Sequence, residues 1–135
     1  MPTVTIDWDR DRRFDGYGSS GMPVDIDGRQ QAGVKPSELL PLALASCSGT
    51  DVVMVLGERD DVRLDGLTVE ASFTQQPDPP WTFRRIRLTY RLRGSGLTDE
   101  IVAEAIRRSH DEMCSVSASI RPTVAIESSF EILPG

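Results

Sequence analysis

Two side chains in this sequence can act as soft nucleophiles: Cys47 and Cys114, the only cysteines among 135 residues. Each is followed by a serine, Cys47-Ser48 and Cys114-Ser115, so a hydroxyl adjoins each sulfur along the chain. A buried thiol taken alone is a small hydrophobe. Around Cys47, however, Ser46, Ser48, Gly49, Thr50 and Asp51 form a polar nest inside an otherwise apolar stretch. Polar groups inside a buried helix must be satisfied or used, since leaving them unpaired costs free energy. We therefore expect the two thiols to meet in the fold and Cys47 to be the one that reacts.

Zinc is the rival reading of the same residues. His110 stands four residues before Cys114, so the two share a helix face, and Cys47 could supply a third ligand. The chain has no C-x-x-C, and His110 is its only histidine. The expectation is accordingly no metal and no cofactor.

The elements that must position these thiols can be read from pattern. Lys35-Pro36-Ser37 is a helix start, with Pro tolerated in the first turn. From Leu39 to Leu56 the residues are apolar almost all round, which predicts a helix buried on every side. Its length approaches that of a membrane span, but Pro41, Ser46, Ser48, Gly49, Thr50 and Asp51 interrupt it, so a core helix is expected. Before it, Thr3–Trp8 alternates as a strand with Val4, Ile6 and Trp8 on one face. A short strand is expected near Phe14 and another from Met22 to Asp27, closed by Asp27-Gly28.

After it come two long strands. Leu67, Val69, Ala71 and Phe73 share one face; Ile86, Leu88, Tyr90 and Leu92 share the matching one, with Arg85, Arg87, Arg91 and Arg93 outward. That is an antiparallel hairpin with one dry face, its arginines a solvated edge rather than an anion site. Thr98 caps a second helix whose stripe runs Ile101, Val102, Ala105, Ile106, Ser109 toward Met113 and Cys114. Thr123–Ile132 is the last strand. The order of strands, helix, strands, helix, strand predicts an α+β fold in a single domain, residues 1–135.

Composition narrows the function. A net charge of −6 argues against nucleic acid as the main partner. Arginine occurs fourteen times against the single Lys35, without clustering in one patch. The polar start MPTVTIDWDRDRR carries no apolar signal segment. The expected setting is a reducing cytoplasm with no membrane partner, where paired cysteines are redox-active, catalytic or metal-binding rather than staples.

The sequence resembles the OsmC/Ohr family of peroxide-reducing proteins. The matching runs are Pro36-Ser37-Glu38-Leu39-Leu40, Ala43 to Val53 around Cys47, Phe83 to Gly94, Ala105 to Cys114, and Cys114-Ser115-Val116-Ser117. The resemblance implies an intertwined homodimer with antiparallel sheets around two buried helices and active sites at the subunit interface. It also implies a mechanism: Cys47 as thiolate attacks an organic hydroperoxide and becomes a sulfenic acid, Cys114 resolves it to a disulfide, and an external dithiol of lipoyl or thioredoxin type restores the thiols. In the well-known peroxidase branches a carboxylate directly after the proline orients an activating arginine. Here Ser37 holds that place and Glu38 is the acid one residue on, with Arg10, Arg12, Arg13 and Arg29 as candidate arginines. Without turnover, the same protein would be a redox-responsive or small-ligand-binding dimer.

Overall fold

A computed structural model describes all of the chain, Met1–Gly135. The chain divides into two compact units, Met1–Leu40 and Pro41–Gly135.

The first unit is a three-stranded antiparallel meander, β1 (Thr5–Arg10), β2 (Arg13–Tyr17) and β3 (Pro23–Asp27). Ile6 pairs with Gly16 and Gly16 with Val24, while Trp8 pairs with Phe14 and Phe14 with Ile26, so the apolar residues stack on one face as their alternation predicts. That face is not covered within the chain: Val4, Ile6, Trp8 and Val24 are all exposed. The loop after β3 returns to pair with the edge of that strand, Val34 bridging Ile26 in parallel. Val34 N–H donates to Asp25 O and Asp27 N–H to Val34 O, and a Cβ on Gly33 would stand 2.6 Å from the Asp25 backbone. Only glycine permits that approach.

The loop delivers the chain to a 3-10 turn, Pro36–Glu38, and then to α1 (Leu39–Gly57). Pro36 fills the first-turn position, and no side chain caps the start. Nor is α1 buried on every side. Leu44, Ala45, Ser48, Val52, Val55 and Leu56 face the core, whereas Leu42, Val53 and Met54 are about half exposed on the opposite face. By length and composition alone this helix could cross a membrane. Its packed face and internal polar groups make it a core helix.

In the second unit, β4 (Arg63–Gln75) and β5 (Phe83–Ser95) form the expected long hairpin, Leu67 opposite Leu92 and Phe73 opposite Ile86. Ile86, Leu88, Tyr90 and Leu92 are fully buried, each apolar side chain contributing about 1.5–3 kcal/mol of transfer free energy. The outward arginines are met by acids on the neighbouring strands: Arg91 by Glu70 at 2.7 Å, Arg87 by Glu127 at 3.1 Å and Arg85 by Glu127 at 3.2 Å. The row is solvated and ion-paired as expected, but β5 is the central strand of the sheet, so it is an outer face and not an edge.

The third strand, β6 (Ala125–Ile132), lies beside β5 but runs parallel to it. The expectation of purely antiparallel sheets fails at this strand. Its cause is the connection: α2 (Asp99–Arg108), a π turn (Ser109–Met113) and α3 (Ser115–Ile120) form a helical crossover, which is what a parallel pairing needs. Thr98 caps α2 as predicted, accepting from Ile101 N–H at 3.2 Å.

Candidate active site

Cys47 sits in the middle of α1, partly buried, and Asp51 follows one turn later on the same side of the helix. Cys114 comes from the other end of the unit, between the π turn and α3. Its N–H donates to Ser109 O at 2.7 Å, closing the π turn, and its sulfur caps α3 by accepting from Ser117 N–H at 3.3 Å. The two sulfurs and an Asp51 carboxylate oxygen all lie within 4.8 Å of one another. Both thiols are free. The predicted meeting of Cys47 and Cys114 is therefore a feature of the fold, with Asp51 as a third member.

Behind the thiols runs a buried chain of hydroxyls. Tyr90 OH is 2.6 Å from Ser48 Oγ, Ser48 Oγ is 3.0 Å from Ser109 Oγ, and Ser109 Oγ donates to Asp51 Oδ2 at 2.8 Å. A carboxylate only accepts and each hydroxyl has one proton to give. Ser109 Oγ is the donor toward both Ser48 Oγ and Asp51 Oδ2, so its one proton serves one of them at a time.

Burial sets the electrostatics. Cys114 is nearly inaccessible, and desolvation pushes its thiol up to about 11. The Ser117 N–H pulls the other way, while the bond to Cys47 and its charge raise it further. Cys114 is the thiol held protonated. Tyr90 is also raised, first by burial, against the opposing hydrogen bonds of Ser48 and Ser128.

His110 turns elsewhere: its Nδ1 is 2.7 Å from Ser117 Oγ, and the ring lines a separate pocket of about 370 Å³ with Ile106, Arg107 and Phe130. The three-ligand set of His110, Cys47 and Cys114 is not assembled. Glu38, the remaining predicted site residue, belongs to the first unit and accepts a hydrogen bond from the Gln30 amide. Of the candidate arginines, Arg10, Arg13 and Arg29 are paired with Asp9, Asp27 and Asp11, while Arg12 makes no ion pair.

Sequence reasoning missed Asp51, Ser109 and Tyr90 as members of one group. Tyr90 carried a signal: it is the one residue with a polar tip in the inward row of Ile and Leu on β5, and a buried tyrosine hydroxyl needs a partner.

An α+β chain with a dry sheet, a central helix and a facing thiol pair defines a thiol-bearing class of protein. Residues 28–129 match the family described as OsmC-like protein, and the chain belongs to that family. It is similar to the protein YhfA of Escherichia coli K12, 29% identical over 131 residues that span 95% of this chain and 96% of that one. Among solved structures, the OsmC-like protein of Mycoplasma pneumoniae superposes with a TM-score of 0.84 at 13% identity, over 99% of this chain and 98% of that one. The organic hydroperoxide resistance protein OhrB of Bacillus subtilis superposes with a TM-score of 0.63 at 20% identity, over 96% of each chain. Those structural likenesses are likenesses of fold.

Proposed function

We propose that this OsmC-like chain reduces organic hydroperoxides through Cys47 and Cys114. The observation that carries the reading is two free thiols within 4.8 Å of each other, one partly accessible and the other buried, in a chain of this family. Cys47 as thiolate attacks the peroxide oxygen, breaking the O–O bond; the alcohol leaves with a proton and Cys47 becomes a sulfenic acid. Cys114 then attacks that sulfur, water departs, and a disulfide forms. An external dithiol of lipoyl or thioredoxin type takes the disulfide back to two thiols in a reducing cytoplasm. Glu38 keeps a proposed role as the carboxylate that orients an activating cation, with Arg10, Arg12, Arg13 and Arg29 as the candidate arginines.

The test is an intact-mass measurement after one equivalent of cumene hydroperoxide, with free thiols blocked. Wild type loses two hydrogens as one intrachain disulfide. Cys114→Ser stops at a trappable sulfenic acid on Cys47, Cys47→Ser shows no fast reaction, and Glu38→Gln slows the first step alone. Thiols that stay free over minutes, with catalytic dithiol present, overturn the reading in favour of a redox-responsive or ligand-binding protein.

The working unit in this proposal is a homodimer of single-domain chains, residues 1–135. Two apolar faces support it: Val4, Ile6, Trp8 and Val24 on the first unit, and the half-exposed Leu42, Val53 and Met54 of α1. The latter border an apolar trough of about 480 Å³ between α1 and β4. Surfaces of this kind are normally covered. Light scattering at low micromolar concentration returns twice the chain mass; a stable monomer ends the dimer proposal.

A further inference from the structure

We propose that Cys47 Sγ, Cys114 Sγ and an Asp51 carboxylate oxygen form a binding site for a thiophilic divalent cation, zinc above all, with a fourth position open. Three ligand atoms within 4.8 Å of one another leave a point no more than about 2.8 Å from all three, roughly half an ångström beyond Zn–S and Zn–O bonds of about 2.0–2.3 Å. Two sulfurs and one oxygen make a soft donor set, which selects zinc over magnesium or calcium.

The ligands are also held from behind, as metal ligands are. Ser109 Oγ fixes Asp51 Oδ2 at 2.8 Å, and Ser117 N–H fixes Cys114 Sγ at 3.3 Å. Asp51 is about nine-tenths buried and makes no ion pair, so the cluster holds a buried carboxyl group beside two thiols with no cation against it. A dipositive ion supplies that charge. On binding, each thiol gives its proton to solvent and becomes a thiolate ligand. His110 has no part in the set, because its Nδ1 is engaged by Ser117.

The same sulfurs cannot be ligands and a disulfide at once. When an organic hydroperoxide takes two electrons from the two thiolates and two protons from solvent, it yields an alcohol and water, the S–S bond forms, and the ion is released. Metal binding itself rests on no peroxide chemistry and is measured without it.

The experiment titrates the reduced, metal-stripped protein with zinc against a chromophoric chelator, and with cobalt(II) to read the ligands. Expected are one ion per chain, a tetrahedral cobalt spectrum with thiolate-to-metal charge transfer, and an affinity lowered about 10- to 100-fold in Asp51→Asn. Cys114→Ser falls at least as far, and His110→Ala binds as wild type. Circular dichroism of Asp51→Asn, which keeps size and a carbonyl acceptor for Ser109, separates ligand loss from unfolding. Oxidation by diamide before titration abolishes binding. Zinc held equally well by Asp51→Asn, by Cys47→Ser or by the oxidised chain means surface binding only and overturns the site.

Discussion

Asp27 and Asp51 are the two buried carboxylates of this chain, and their surroundings have little in common. Asp27, fully buried at the end of β3, accepts from three backbone amides: Arg29 N–H at 2.8 Å, Ala32 N–H at 2.9 Å and Gln31 N–H at 3.1 Å. Arg13 adds a guanidinium at 3.6 Å. Asp51 has one hydroxyl donor, no ion pair and two thiols for neighbours. A carboxylate surrounded by backbone donors holds a loop in shape, here the loop that leads into α1. One set beside two thiols, with a single hydroxyl donor and no cation, is left with acceptor capacity for a ligand. Burial alone separates neither case; the identity of the donors does.

The largest expected difference between them is in stability. Asp27→Ala removes the acceptor for three amides in one step and leaves them without a partner inside the loop. The thermal midpoint should fall by about 5 °C or more. Asp51→Asn removes a buried charge that has no cation, keeps an acceptor for Ser109, and should leave the midpoint within about 2 °C. Differential scanning calorimetry of the two variants decides it. A larger loss in Asp51→Asn would make that carboxylate a structural group and break the contrast.

The same contrast marks what could be read from sequence. The β4–β5 hairpin was legible because alternation over Leu67–Phe73 and Ile86–Leu92 assigns every residue to a face. The α2 cap was legible because Thr98 and the acids after it are local signals. Cys47 and Cys114 stood out by type, and Asp51 was visible within a polar nest. Its partnership with Ser109, 58 residues away, was not. Periodicity reports which way a side chain points, not what meets it from another element. The parallel β6 was hidden for the same reason, since its direction is fixed by the crossover through α2 and α3. The open faces of α1 and of β1–β3 escaped because an apolar pattern predicts burial without saying which chain provides it.

A middle-sized effect lies at the far end of the hydroxyl chain. Tyr90→Phe removes the hydroxyl that bonds Ser48 but leaves the Ser109–Asp51 bond in place. Chemical denaturation should show a loss of about 1 kcal/mol, the net worth of one buried hydrogen bond with the ring packing retained. Zinc affinity should move far less than in Asp51→Asn. If Tyr90→Phe weakened metal binding as strongly, the hydroxyl chain as a whole, and not the carboxylate, would be the active part of the site.

The smallest effect is the acid dependence of stability. The carboxyl of Asp27 is held below its usual range, first by the Arg29 amide, with the Ala32 and Gln31 amides and the Arg13 charge adding to it against burial. A carboxyl lowered in the folded state binds fewer protons folded than unfolded at acid pH. Its contribution is therefore present above the ordinary aspartate value of about 3.9 and drains away as pH falls from there through the lower folded value. Asp27→Asn removes that exchange. Below about pH 4 its stability should fall less steeply with acid than the wild type's, by at most about one proton taken up on unfolding. Above about pH 6 the two curves should run parallel, offset by the interactions that asparagine cannot replace. Denaturation midpoints followed from neutral to acid pH test this directly, and an acid limb of unchanged slope in Asp27→Asn would mean that other carboxylates carry the dependence.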